Sequence, residues 1–360
     1  MTGRGAMGRG GGGRVRTGAK VWVHVGLPKC GSTTVQRYFA AHAEQYRAQG
    51  LCYPATGRST GGYRSHEPMA RMAPADLPAL VAAIASEAAG CDRILLSCED
   101  FANALPLGNG AALVAELNRV FGADQVRVLA YFRNVHDFVA SCYAQFVMGG
   151  LFKINAGRFF QGAGDDPAAT NLAAFVAAFE ALKGFPLYSL RGHADQIARH
   201  FPDNAVVLKS IERMDIGEGG LIGDICRTLG VDVLEVPPAQ NTRVSNLLLA
   251  AAVSARRQVS TEAFRRLRPH LARMVNGPKW AARAGFDRAD LHVDAALHAR
   301  ITATVGAERA TLAARFATGT DGLAEDRWTP ATGQDVLTRA EEAQIRRLIA
   351  RHAAPAPAPG

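Results

Sequence analysis

Short apolar runs alternate with longer amphipathic stretches along most of this chain. Val21-Trp22-Val23-His24-Val25 is a compact run with few polar interruptions, the signature of a strand buried on both faces. Gly26-Leu-Pro-Lys-Cys-Gly31 follows as a turn, and Ser32 to about Ala48 carries Val35, Tyr38 and Phe39 at helical spacing. The same alternation returns three times. Helical Leu80–Ala89 precedes the strand Arg93–Cys98, helical Ala111–Phe121 precedes the strand Val126–Phe132, and a helix over His136–Met148 follows. Gly149 to Pro167 reads as a long loop. Helices over Asn171–Leu182 and Ser189–His200 lead to a fourth strand, Ala205–Lys209. Strands and helices in alternation predict an α/β fold with a parallel sheet flanked by helices. Beyond Ser245 the pattern turns helical and rich in Ala and Arg, which predicts a helical C-terminal extension.

The expected organisation is an arm over residues 1–20 and a domain over 21–330 with its core in 21–250. A helix over 331–352 and a Pro/Ala tail over 353–360 complete it. Charge sharpens this picture. The chain carries a formal charge of +9. Five of those charges, Arg4, Arg9, Arg14, Arg16 and Lys20, sit in the Gly-rich arm, which reads as a solvated tail. The body keeps a mild excess suited to an anionic ligand, and no nucleic-acid partner is expected. The arm has no apolar core for a secretory signal, and no stretch reaches the roughly 20 apolar residues of a membrane helix. The six cysteines form no CxxC pair and no ligand spacing, so reduced thiols, a cytoplasmic location and no bound metal are expected.

The chemistry concentrates in Gly26-Leu-Pro-Lys-Cys-Gly-Ser-Thr-Thr34, between a strand and a helix. Backbone N–H groups of such a loop, with the unpaired N–H groups of the helix start, cradle an anion. Lys29 adds a point charge, and Ser32, Thr33 and Thr34 add hydroxyl donors. A nucleotide triphosphate loop reads GxxxxGK[ST]. Gly26 and Gly31 have that spacing, but Ser32 stands where the lysine belongs and Lys29 lies three residues earlier.

With Val35 and Gln36 added, this segment resembles the 5′-phosphosulfate loop of sulfotransferases that use 3′-phosphoadenosine 5′-phosphosulfate (PAPS), usually close to PKTGTTSLQ. In that family an arginine at a strand end and a serine eight residues later bind the donor's 3′-phosphate. Arg133 and Ser141 match the pattern. The bacterial, carbohydrate-type branch is further resembled at Ser65–Glu67, Leu96–Phe101, Leu208–Arg213, Gly219–Gly230 and Asn241–Ser245. The resemblance implies a P-loop-like fold and PAPS as co-substrate. It implies donor contacts from Lys29, Cys30, Gly31, Ser32, Thr33, Thr34, Arg133 and Ser141. It further implies a hydroxylated carbohydrate or small metabolite as acceptor and a reaction without metal. Cys30 departs from the usual threonine, and Thr34 and Val35 from the usual Ser-Leu.

Two residues compete as the base that takes the acceptor's proton. Glu99 ends the second predicted strand. His66 has the more convenient intrinsic pKa but lies in an irregular stretch. The acceptor pocket is expected from residues 53–75 and 149–168. Other readings stay open. Glu99-Asp100 could instead hold magnesium in a P-loop phosphotransferase, and a non-catalytic anion-binding protein needs only the cradle. Asn241 and Arg243 suit either a ligand or a structural loop. His24 reads as a core histidine, and the Arg pairs at 256–257, 265–266 and 346–347 read as solvated helix faces.

Overall fold

The computed structural model describes residues 18–62, 64–99, 101, 109–162, 166, 168–236, 244–283, 285–331 and 333–352. Five strands form one sheet, parallel throughout: β1 (Lys20–Val25), β2 (Leu51–Cys52), β3 (Arg93–Cys98), β4 (Val126–Phe132) and β5 (Ala205–Ser210). Their order is β2-β3-β1-β4-β5. The four strands expected from the apolar runs are present within a residue of their predicted ends. Strand β2 is only two residues long and too short to give a pattern.

Helices of ten residues or more are numbered in chain order. They are α1 (Ser32–Ala41), α2 (Leu77–Glu87), α3 (Asn109–Phe121), α4 (Val135–Gly149), α5 (Leu172–Lys183) and α6 (Leu190–His200). Then come α7 (Gly220–Leu229), α8 (Asn246–Gln258), α9 (Thr261–Val275), α10 (Ala295–Arg315) and α11 (Arg339–His352). The single helix expected over Ser32–Ala48 breaks at His42, and a short second helix runs Ala43–Ala48. A short helix at Ala156–Gln161 interrupts the stretch expected to be loop. Asn155 caps it by accepting from the Arg158 N–H at 2.9 Å.

Each central strand is apolar because both of its faces are covered. Val21, Val25, Ile94, Leu95, Leu96 and Val126–Phe132, Arg127 excepted, are nearly inaccessible. One continuous apolar cluster runs from these strands into α8, α9, α10 and α11. The predicted helical extension therefore shares the core rather than standing apart. No described helix is long and apolar enough to cross a membrane.

Strand order sets the position of any ligand. The chain leaves β1 toward β2 on one side and leaves β4 toward β5 on the other. The carboxyl ends of β1 and β4, which are hydrogen-bonded neighbours, thus flank a crevice where the connections diverge. The predicted loop leaves β1 there, and Arg133 follows β4.

Candidate anion-binding cleft

Register brings the first two site elements together. Val25 pairs with Cys98, so Gly26 and Glu99 leave the sheet side by side, and the Gly26 N–H donates to the Cys98 carbonyl at 3.3 Å. A β-carbon on Gly26 would stand 2.9 Å from the Ser32 β-carbon and 3.1 Å from the Glu99 α-carbon. Only glycine lets loop, helix and strand end approach this closely. The loop then turns through two left-handed residues, Lys29 (φ 63°) and Gly31 (φ 82°). At Gly31 a β-carbon would fall 2.3 Å from Leu221 Cδ2 of α7. No side chain caps α1, so the N–H groups of Ser32 and Thr33 remain available at its start, while that of Thr34 donates to the Gly31 carbonyl at 3.0 Å.

The second wall comes from β4 and α4. Asn134, fully buried, caps α4 by accepting from the N–H groups of His136 and Asp137 at 3.1 and 3.4 Å. That fixes Arg133 just before the helix, where its guanidinium donates to Ser141 Oγ at 3.1 Å. The eight-residue spacing seen in the sequence is therefore a direct contact. The same guanidinium lies 3.6 Å from the Asp137 carboxylate.

Both walls face one cavity of about 610 Å³, lined by Lys29, Gly31, Ser32, Thr33, Glu99, Arg133 and Ser141 among others. Ser32 Oγ donates to Glu99 Oε2 at 2.9 Å, which orients the carboxylate. Arg268 of α9 and His292 also line it. Among the described lining residues, Lys29, Arg133 and Arg268 stand against Glu99 as the one carboxylate. The cavity is electropositive and suited to an anion with separated charges.

Several sequence expectations fall elsewhere. Cys30 is buried, and burial pushes its thiol far above the ordinary range, with the Arg133 charge offsetting part of this. It is absent from the cavity wall, so its side chain packs while its neighbours face the ligand space. Thr34 is exposed and also off the wall. His66 is fully buried. Its Nδ1 accepts from the Ser97 N–H at 3.1 Å, which leaves Nε2–H to donate to the Pro54 carbonyl, also at 3.1 Å. Burial lowers its pKa to about 4. Both ring nitrogens are thus engaged in tying residues 54–66 to β3, a structural task. Asp100, Asn241 and Arg243 lie outside the described residues.

Among the described residues the expected acceptor loops contribute little: Gly149 and Gly150 reach the wall, and no described residue of 53–75 does. The sequence instead misses a second cavity of about 650 Å³, lined by Trp280, Arg283, Phe286 and others. It shares Val244, Asn246 and His292 with the first. Arg268 was hidden among the arginines of α9, whose helical pattern cannot distinguish a solvated face from a cavity rim.

No protein-family model, curated protein or solved structure matches the chain.

Proposed function

We propose that the chain is a sulfotransferase that moves the sulfuryl group of PAPS to a hydroxyl or amine of a carbohydrate or small-molecule acceptor. The observation that carries this reading is the pairing of two anion sites across one crevice, Lys29 with the α1 N-terminus on one side and Arg133–Ser141 on the other. A donor with phosphates at both its 5′ and 3′ positions satisfies both at once. A triphosphate uses the loop and leaves the arginine side without a partner.

An acceptor oxygen attacks sulfur, and the bond from sulfur to the 5′-phosphate oxygen breaks, releasing adenosine 3′,5′-bisphosphate. Negative charge grows on that leaving oxygen, and Lys29 and the loop amides are the groups that offset it. Arg133 and Ser141 hold the 3′-phosphate through charge-assisted hydrogen bonds. Glu99, held as an acceptor by the Ser32 hydroxyl, takes the proton from the attacking group. The adjoining cavity with Trp280 and Phe286 offers apolar faces and is the acceptor's place in this reading.

Thermal denaturation tests it. Adenosine 3′,5′-bisphosphate should raise Tm by several degrees at saturating concentration, and ATP with magnesium should do far less. A shift with ATP–magnesium equal to or larger than that with the bisphosphate overturns the proposal in favour of a phosphotransferase.

A further inference from the structure

A second cluster of chemical interest lies behind the Arg133 wall. His136 on the first turn of α4, His298 on α10 and Asp326 in the segment after α10 each present one ligand atom, and these atoms all lie within 4.8 Å of one another. His298 Nε2 is 3.0 Å from Asp326 Oδ2, and His136 Nε2 is 3.5 Å from Asp326 Oδ1. Two imidazoles and a carboxylate around a bound zinc ion, at metal–ligand distances of about 2.0–2.2 Å, sit roughly 3.3 Å apart. The two separations, 3.0 and 3.5 Å, bracket that value.

The hydrogen bonds of His136 point the same way. Its side chain is only 11% exposed, yet Nδ1 is buried with no partner. The Asp326 oxygen nearest Nε2 is too distant for a hydrogen bond, and Nε2 makes no other among the described residues. The Nε2 lone pair is thus free to ligate an ion, while the buried Nδ1 stays unpartnered with or without one. The other two groups are held in place. His298 stacks on Trp328 at 4.1 Å between ring centroids, and Asp326 Oδ1 accepts from the Trp328 N–H at 2.9 Å. Fixed outer partners of this kind orient metal ligands. A small cavity of about 170 Å³, lined by His136, Asp326, Thr302 and Glu325, leaves room for water as a fourth ligand.

We propose that His136, His298 and Asp326 bind a first-row divalent ion of the kind that imidazole and carboxylate donors suit, such as zinc, and that the ion staples residues 325–328 and α10 to the start of α4. The proposal is independent of the sulfuryl reading, because it rests on a site outside the cleft.

The test uses tag-free, metal-stripped full-length protein, with zinc titrated in competition against a chromogenic chelator. One equivalent should bind. Asp326→Asn, which keeps the side-chain shape, and His298→Ala should each weaken it by at least about tenfold. Zinc should raise the Tm of the wild-type chain and not of either variant. Limited trypsinolysis should show cleavage after Arg327 slowed by zinc in the wild type alone. The stacked pair His270 and His352, 3.8 Å apart, is the competing site. Zinc that persists in Asp326→Asn and His298→Ala but is lost in His352→Ala overturns the assignment, as does the absence of any wild-type binding.

Discussion

Arg133 and Glu99 make different demands on experiment. Arg133 donates to Ser141 and faces the cavity, so Arg133→Ala should weaken binding of adenosine 3′,5′-bisphosphate by about 1.5–3 kcal/mol, the scale of a lost charged hydrogen bond. Glu99→Gln keeps an acceptor oxygen for Ser32 and should leave that binding unchanged, while turnover falls about 10²-fold or more. Titration calorimetry and a single-turnover assay separate the two effects, and normal turnover in Glu99→Gln removes it from the role of base. Much of this was legible in the chain, because glycine spacing and an Arg-x₇-Ser interval are local facts. The place of His66 was not. Its apparent convenience as a base came from an intrinsic pKa near neutrality, and burial beside Ser97 and Pro54 cancels it.

Helix α4 carries more of the design than its sequence announces. Asn134 caps it, and the same side chain donates through Nδ2 to the carbonyls of Gly322 and Glu325 at 2.8 and 2.9 Å. The Asn134 N–H in turn donates to Glu212 Oε1 at 2.8 Å, and Glu212 pairs with Arg327 at 2.8 Å. Asn134→Ala removes the cap and leaves buried carbonyls without a donor. It should cost about 2–4 kcal/mol of stability, measured by urea unfolding. A loss below 0.5 kcal/mol means that water replaces the amide. The strands were readable because burial on both faces makes each a continuous apolar run. The break at His42 was not, since apolar positions continue on both sides of it. The His136–His298–Asp326 group was equally hidden. Metal sites show in sequence when ligands sit a few residues apart, and these are brought together from α4, α10 and the segment after it.

The molecule as a whole stores three neutral imidazoles in its interior. His24, His66 and His193 are buried, and desolvation lowers each from 6.5 to about 4. An unfolded chain therefore binds more protons than the folded one between pH 6.5 and 4, so stability falls as pH drops through that window. Each histidine withdraws about 2 kcal/mol between pH 7 and pH 5, together on the order of 6 kcal/mol. That is a large share of the total stability of an ordinary domain. Urea midpoints at pH 7 and pH 5 should show it, and equal midpoints mean that the imidazoles titrate normally. The shared core of sheet and C-terminal helices was only partly foreseeable, because an amphipathic helix reveals that it packs but not on what. One consequence concerns synthesis. The cap at Asn134 depends on Gly322, 188 positions downstream. At about 5–20 residues per second, the ribosome needs roughly 10–40 s to supply it. For that interval a nascent chain carries the residues of both cleft walls without the downstream contacts that fix the start of α4, and the cleft is completed only in the last part of translation.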